Sequence, residues 1–303
     1  MKIALFGGAG FVGSRLSSVF SEGNIEFQVF DKVLAGDNFT DITLEDTFTD
    51  QNDFDVAINL AAEHRDDVTP KSRYDLVNVK GSENVCNFCR TKGINRIIFT
   101  SSVAVYGFAP EGADETGAIN YFNDYGRTKY LAEQVYQRWY AESPDTRSLV
   151  IVRPTVIFGE ANRGNVYNLL KQIASGKFIM IGGGTNRKSM AYVENVAEFI
   201  KYMTKSDQGL HIYNYIDKPD LDMNALVDII RKKIFNKNCS TVRLPAFVGY
   251  LGGHAFDVLA FVTRKKHSIS SIRVKKFLQT TPFNSSVAET GFDAPVAWQD
   301  GLT

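Results

Sequence analysis

The chain has 303 residues, of which 44% are hydrophobic and 22% are charged. That length and composition suit a globular protein with one large or two modest domains. Lysine and arginine together number 34, as do aspartate and glutamate, so no overall charge attracts nucleic acid and we expect no such partner. The three cysteines and four histidines lack metal-ligand spacing, which predicts no metal site, and this cysteine usage suits a reducing cytoplasm.

The first thirteen residues, MKIALFGGAGFVG, predict a short strand that ends in a glycine-rich turn at the start of a helix. Glycines interrupt the apolar run too early for a signal peptide. Gly7, Gly10 and Gly13 have the spacing G-x-x-G-x-x-G, which lets backbone amides and a helix N-terminus approach a pyrophosphate. The next predicted strand, EFQVFD, ends at Asp31, whose carboxylate can bind a ribose and would repel a 2′-phosphate. These features favour NAD over NADP as the cofactor.

Strand-like and helix-like segments alternate through the first half of the chain, which predicts a parallel sheet with helices on both faces. The predicted strands are residues 2–6, 26–31, 55–62, 96–102 and 148–154. The predicted helices between them are residues 11–23, 74–93 and 125–142. Cys86 and Cys89 fall on the apolar face of the second helix, which favours a place in the core over a redox pair.

After about Pro154 the pattern changes to amphipathic helices separated by short strands such as residues 211–216. We therefore expect an α/β fold with a Rossmann-type doubly wound parallel sheet and a smaller mixed C-terminal portion. Residues 1–160 are predicted to bind the dinucleotide, and residues 190–205 to return to that domain. The rest of residues 161–303 is predicted mostly to bind substrate.

Tyr125 and Lys129 form a Y-x-x-x-K pair in a predicted helix, where a separation of four residues puts both side chains on one face. A tyrosine near its reference pKa of about 10 is a poor base at neutral pH. A neighbouring ammonium group stabilises the phenolate and lowers that pKa. Because the pair follows both a dinucleotide motif and the segment TSSVAVYG at residues 100–107, it predicts a proton-transfer site.

Together these motifs resemble the extended short-chain dehydrogenases/reductases of the NAD-dependent epimerase/dehydratase family, over essentially the whole chain. Further matching segments are NLAA at residues 59–62, NVKGSENV at 78–85 and RPTVIFG at 153–159. The resemblance implies that Ser102 hydrogen-bonds the reacting sugar hydroxyl and that Tyr125 exchanges its proton. The family often has histidine where this chain has Asn59.

The resemblance also implies which residues contact NAD. They are Gly7, Gly10, Phe11, Val12, Gly13, Asp31, Lys32, Asp41, Ile42, Leu60, Ala61, Ala62, Ser101, Tyr125, Lys129, Pro154 and Thr155.

The two residues after Ser102 bear on the type of reaction. Sugar 4,6-dehydratases of the family carry an Asp-Glu pair there, whereas this chain has Val103 and Ala104, which cannot transfer protons. That difference leaves C4 epimerisation and keto-sugar reduction, and Asp31 favours epimerisation because NAD suits a redox-neutral cycle. A cofactor-binding protein without catalysis is a third alternative, against which the intact Ser102, Tyr125 and Lys129 argue.

This sequence differs from the epimerases that act on UDP-sugars at positions that bear on which carrier holds the sugar. Those enzymes have asparagine where this chain has Val156 and arginine where it has Lys188. Several segments instead resemble bacterial 4-epimerases that act on N-acetylhexosamine linked to undecaprenyl diphosphate, in O-antigen assembly. A UDP-linked substrate remains the alternative. The residues that the resemblance implies at the substrate are Ser102, Val103, Arg163, Asn165, Lys188 and Arg273.

Residues 244–266 form an unusually apolar segment that ends in Arg264, Lys265 and Lys266. Such a segment can rest at the acyl boundary of a bilayer with its cations on lipid phosphates. We therefore expect a cytoplasmic enzyme in peripheral contact with the inner membrane. The resemblance also predicts a homodimer through the helices near residues 78–93 and 124–142, with Tyr136 and Trp139 either in that contact or in the core.

Overall fold

The computed structural model describes residues 1–45, 48, 52–65, 68–162, 164–235, 242–263 and 270–302. Its strands are β1 (Lys2–Phe6), β2 (Glu26–Phe30), β3 (Val56–Asn59), β4 (Arg96–Thr100), β5 (Ser148–Pro154), β6 (Val156–Phe158), β7 (Ile179–Ile181), β8 (Arg187–Tyr192), β9 (Gly209–Tyr215), β10 (Asp217–Asp222) and β11 (Val242–Leu244). Its helices are α1 (Phe11–Glu22), α2 (Ser72–Tyr74), α3 (Gly81–Lys92), α4 (Asp124–Ala141), α5 (Asn165–Ala174), α6 (Val193–Met203), α7 (Met223–Phe235), α8 (Ala246–Thr263) and α9 (Ser271–Leu278), and a π-helical segment (Asp75–Lys80) joins α2 to α3.

The largest sheet has six parallel strands in the order β2-β1-β3-β4-β5-β9. Its strand order reverses between β1 and β3, and in open α/β sheets ligands bind outside the carboxyl ends of the strands at such a point. The predicted Rossmann-type fold is confirmed. The segments that follow β1, β3, β4 and β5 all carry predicted site residues, so the topology brings them to one edge of the sheet.

Alternating side chains of the central strands pack into two apolar layers, one on each face of this sheet. Ile3 and Leu5 of β1 face one layer with Ile200 of α6, whereas Ala4 and Phe6 face the other. The second layer also receives α3 and α4, including Cys86, Cys89, Tyr136 and Trp139. Burial raises the pKa of the Cys86 thiol to about 12, which suits a core residue. Tyr136 and Trp139 thus belong to the core.

The smaller portion contains a three-stranded sheet in the order β10-β8-β6 and the two-stranded pair β11-β7. Its apolar cluster takes side chains from α5 and α7 together with Trp298. One assignment from the sequence is corrected: β9, which overlaps residues 211–216, is the edge strand of the large sheet, because its backbone pairs with all of β5. The division of the chain at residue 160 stays a prediction.

The helix α8 is apolar but mostly exposed, with Gly253 as its buried residue. A Cβ on Gly253 would lie 2.8 Å from the Cα of Ser271, so α8 packs closely against the start of α9. Among the described residues, α8 is the helix that is long and apolar enough to cross a membrane, judged by its length and composition alone, and 6% of it is buried.

Candidate active site

The glycine-rich turn after β1 forms a cradle in which side chains would not fit. Gly7 has a φ of +76°, and a Cβ there would lie 2.5 Å from the backbone nitrogen of Ala61. A Cβ on Gly13 would lie 2.5 Å from the carbonyl oxygen of Gly7. Gly10 is the N-cap of α1 and offers no side-chain hydrogen bond to the first turn. The N–H groups of that turn are therefore directed at a space where a pyrophosphate can bind.

Asp31 lies at the carboxyl end of β2, beside this turn. Its carboxylate accepts hydrogen bonds from the backbone N–H of Ala9 at 3.2 Å and of Val33 at 3.3 Å. A carboxylate held here fits the hydroxyls of an adenosine ribose and disfavours a 2′-phosphate. Lys32 is exposed.

Asp41 and Ile42 occupy the loop between β2 and β3. Asp41 accepts hydrogen bonds from the N–H and the hydroxyl of Thr43, at 3.0 and 2.8 Å. Ile42 is buried against Gly81, where a Cβ would lie 2.6 Å from its side chain. Asn84 of α3 donates to the carbonyl of Ile42 at 2.9 Å, which holds this loop against α3.

The other predicted cofactor contacts on this side are half-buried and mostly apolar. Phe11 and Val12 begin α1 and pack against the apolar clusters beneath it. Leu60, Ala61 and Ala62 follow β3, and all three are half-buried, as expected for the wall of a cofactor channel. These residues, with the glycine cradle and the uncapped helix, fit a bound NAD.

The turn that follows β4 packs directly against the start of α4. Ser102 caps this turn, with its hydroxyl accepting a hydrogen bond from the N–H of Ala104 at 3.1 Å. A Cβ on Gly126 would lie 2.4 Å from the carbonyl oxygen of Ala104, so only glycine permits this approach. Tyr125 is thereby brought beside Ser102, whose side chain acts on its pKa, and Lys129 lies one turn further along α4. The structure thus brings the three predicted catalytic residues together.

The titration of this group is dominated by burial. Burial raises the pKa of Tyr125, and the nearby Ser102 side chain opposes that shift. Burial lowers the pKa of Lys129 to about 7, against the attraction of the Glu133 carboxylate. Lys129 is 1% exposed, and its ammonium nitrogen lies 4.3 Å from the ring centroid of Phe99. A pKa in this range makes the charge of Lys129 sensitive to whatever binds next to it.

Asn59, at the end of β3, replaces the histidine common in the family, and it is buried. It donates to the hydroxyl of Tyr136 at 2.7 Å and accepts from the N–H of Ala61 at 3.0 Å. Pro154 and Thr155 are buried at the end of β5, and the Thr155 N–H donates to the Tyr215 carbonyl at 3.1 Å.

Behind the site lies a buried polar network that the sequence interpretation missed. Glu133 of α4 accepts hydrogen bonds from Arg153 at 2.9 and 2.6 Å and from the Ser101 hydroxyl. Arg153 also donates to the Tyr106 hydroxyl at 2.6 Å, which in turn donates to Asn214 at 2.8 Å. Ser101, predicted at the cofactor, is buried with its hydroxyl on Glu133. An arginine within the apolar strand SLVIVRP was the available signal, because a buried charge needs a partner.

Two of the predicted substrate residues lie on the C-terminal side of the site. Lys188 of β8 donates from its ammonium group to the carbonyl of Lys276 at 2.7 Å, and burial lowers its pKa to about 8. Arg273 is exposed on α9, and its backbone N–H is capped by the Ser270 hydroxyl at 3.3 Å.

Of the remaining predicted substrate residues, Val103 and Asn165 belong to the part of the chain that the structure describes. Val103 is half-buried directly after Ser102, and Val156, where the epimerases that act on UDP-sugars have asparagine, is 39% exposed. The backbone of Asn165 begins α5, whereas Arg163 lies outside the described residues.

A glycine cradle at a helix N-terminus, an acidic residue after β2 and a serine-tyrosine-lysine group at the same sheet edge define a dinucleotide-dependent enzyme of the short-chain dehydrogenase/reductase class. The family described as "NAD dependent epimerase/dehydratase family" matches residues 3–215. The chain belongs to this family, and its cofactor is NAD.

Among known proteins, the chain is 49% identical over 99% of its length to an Escherichia coli O157:H7 protein, of which 93% is covered. That protein is named N-acetyl-alpha-D-glucosaminyl-diphospho-ditrans,octacis-undecaprenol 4-epimerase. Two solved structures from Bacillus cereus share the fold over all of this chain and 96% of theirs. A UDP-N-acetylglucosamine 4-epimerase has a TM-score of 0.77 at 16% identity. A UDP-glucuronic acid 4-epimerase in complex with NAD has 0.74 at 19%.

Proposed function

We propose that this enzyme epimerises carbon 4 of an N-acetylhexosamine carried on undecaprenyl diphosphate, interconverting GlcNAc and GalNAc. The observation that carries the proposal is that close packing of α4 against the turn after β4 puts Tyr125 beside Ser102 and one helical turn from Lys129. Val103 and Ala104 follow Ser102 and supply no acid or base for dehydration. The 49% identity to a protein named for this reaction supports the choice of sugar and carrier.

The proposed roles follow from the positions of the side chains. The oxygen of Tyr125 takes the proton of the 4-hydroxyl as the sugar becomes a 4-ketone, and it returns that proton when the alcohol re-forms. Ser102 hydrogen-bonds the same sugar oxygen, and Lys129 supports the charge that develops on Tyr125. NAD supplies the hydride chemistry at carbon 4 and, in its oxidised form, a positive charge. The glycine cradle and Asp31 hold its pyrophosphate and adenosine ribose.

The proposal is tested with GlcNAc-diphosphoundecaprenol and UDP-GlcNAc offered side by side to the purified enzyme. We expect GalNAc to form on the lipid carrier, and the cofactor to remain with the protein through many turnovers. Conversion of the UDP-sugar alone would contradict the proposed carrier. Net consumption of a reduced cofactor without an epimer would contradict the proposed reaction.

Tyr125→Phe removes the hydroxyl that carries the proton and should lower kcat at least about a hundredfold. Bound NAD should be retained, because the glycine cradle is untouched, and it is measured by absorbance after denaturation. Tyr140→Phe on the same helix is the matched control and should keep normal turnover. Normal turnover in Tyr125→Phe would refute the proton-transfer role.

We also propose that the enzyme is cytoplasmic and contacts the membrane surface through α8. Phe247, Leu251, Val258 and Val262 recur along one side of α8, and each is at least 64% exposed. Contiguous apolar exposure of this kind marks an interaction surface, and a bilayer is where the carrier lipid is found. The basic residues 264–266 lie outside the described residues.

Flotation with phosphatidylethanolamine and phosphatidylglycerol vesicles tests this contact. The wild type should float with the vesicles, and combining Phe247→Ser, Leu251→Ser and Val262→Ser should leave the protein at the bottom of the gradient. Leu210→Ser, which alters an exposed residue on β9, is the control. Equal flotation of all three proteins would rule out α8 as the contact.

We further propose a homodimer through the outer faces of α3 and α4. Both helices lie side by side on one face of the large sheet, and the adjoining Leu76 is an exposed apolar residue there. Light scattering should give twice the mass of the chain, and Leu76→Glu should shift the protein towards the monomer. A wild-type monomer at high concentration would contradict the proposal.

A further inference from the structure

Two phenylalanines form a stacked pair beside the reacting residues. Phe108 follows the turn capped by Ser102, and Phe122 lies two residues before α4 begins. Their ring centroids are 4.6 Å apart with an interplanar angle of 23°. Phe122 is 40% exposed. Because consecutive Cα atoms are 3.8 Å apart, the backbone of Phe122 lies within about 11 Å of that of Tyr125. The pair is thus an accessible apolar surface close to the site.

Each ring of this pair is approached by a lysine from α9. The ammonium nitrogen of Lys275 lies 4.5 Å from the ring centroid of Phe108, and that of Lys276 lies 4.9 Å from the ring centroid of Phe122. Within the part of the chain that the structure describes, no carboxylate forms an ion pair with either lysine. Lys188 reaches the same place through its hydrogen bond to the Lys276 carbonyl. The two rings therefore lie next to two ammonium groups, whose positive charge an anion can neutralise.

The helix that carries these lysines also packs against α8. A Cβ on Gly249 of α8 would lie 3.5 Å from the side chain of Val274 in α9, and Gly253 approaches Ser271 still more closely. The small residues of α8 face α9, whereas its apolar stripe is exposed. A series of contacts therefore leads from α8 through α9 and its lysines to the stacked rings, the second of which is three residues from Tyr125.

We propose that Phe108, Phe122, Lys275 and Lys276 form a subsite for a prenyl diphosphate. The lysines bind the diphosphate oxygens, and the rings pack against the isoprene unit next to them. The inference rests on the proposed function, since the diphosphate is attached at carbon 1, across the sugar ring from carbon 4. It explains how a lipid tail leaves the site towards α8.

The subsite is tested by direct binding, which does not depend on turnover. Titration calorimetry on the NAD-loaded protein compares farnesyl diphosphate, inorganic diphosphate and farnesol. We expect farnesyl diphosphate to bind more tightly than either of the other two, because only it engages both the lysines and the rings. Combining Lys275→Gln with Lys276→Gln should weaken farnesyl diphosphate binding about tenfold or more while changing farnesol binding little.

The aromatic half of the subsite has its own variants. Phe108→Leu and Phe122→Leu together should weaken farnesyl diphosphate several-fold and leave inorganic diphosphate unchanged, because leucine keeps apolar volume but loses the flat surface. Lys205→Gln changes an exposed lysine after α6 and is the matched control for charge. A protein that carries Lys275→Arg and Lys276→Arg instead of the two glutamines should bind farnesyl diphosphate about as tightly as the wild type, because the positive charge is kept.

Two outcomes would overturn the subsite. One is farnesyl diphosphate binding by the glutamine double variant as tightly as by the wild type. The other is loss of binding in Lys205→Gln equal to that in the double variant. If the subsite binds as expected but the wild type fails to epimerise the lipid-linked sugar, the proposed reaction fails while the subsite stands.

Discussion

The helices α6 and α8 are both rich in apolar residues, yet the protein uses them in opposite ways. α6 buries Val196, Phe199 and Ile200 against the large sheet and leaves its charged residues partly exposed. α8 buries Gly253 and exposes most of its large side chains. A helix whose apolar face is covered packs on the core, whereas a helix whose large apolar side chains stay exposed offers a surface for a partner outside the chain's own core. α6 thus belongs to the part of the molecule that carries the NAD site, and α8 to the part proposed to contact the lipid.

The largest effect expected from this comparison concerns stability. Ile200→Ala removes a fully buried side chain from α6 and should lower the free energy of unfolding by about 2–5 kcal/mol. Val262→Ala removes a side chain that is 72% exposed on α8 and should change it by less than about 0.5 kcal/mol. Urea denaturation of both variants measures the difference. Equal losses would mean that α8 packs into a core in solution.

A second prediction compares glycines in the two regions. Gly13→Ala places a Cβ 2.5 Å from backbone atoms of the cofactor turn and should cost about 1–3 kcal/mol in NAD affinity. Gly252→Ala in α8 meets nothing within 4 Å and should leave NAD affinity unchanged. Calorimetric titration of NAD into both apoproteins checks this. Wild-type affinity in Gly13→Ala would show that the turn does not hold the pyrophosphate.

The smallest expected effect is electrostatic and lies on the NAD-binding side. Hydrogen bonds from Arg90 and Arg147 lower the pKa of Glu142 to about 2 from an ordinary 4.5. A carboxyl group with a depressed pKa contributes stability above pH 4.5 that is lost as the pH falls towards 2. Glu142→Gln should therefore lower the free energy of unfolding by less than about 1 kcal/mol at pH 7, since the pair is partly exposed. Near pH 2 the two proteins should unfold alike, and a constant difference across this range would contradict the assignment.

Much of the fold and the reacting group could be predicted because their signals are local. The strand, glycine turn and helix around Gly7 are contiguous in the chain, and the Y-x-x-x-K spacing fixes Tyr125 and Lys129 on one helical face. The family, the Rossmann-type sheet and the use of NAD were confirmed. The individual contacts of the site residues with NAD and sugar stay predictions.

What remained undetermined depends on contacts between distant segments. The sequence put Ser101 among the cofactor contacts, and only the folded chain shows that its hydroxyl donates to Glu133, which lies 32 residues further along the chain. The sequence also could not place β9 beside β5, since its hydrogen-bonding partner lies some 60 residues earlier. Composition determined that α8 is apolar, but only packing against α9 decided which of its sides is covered. The sequence by itself thus determined the local motifs and the chemistry they permit, and the tertiary structure decided which side chains meet, because burial and pairing are properties of the folded chain.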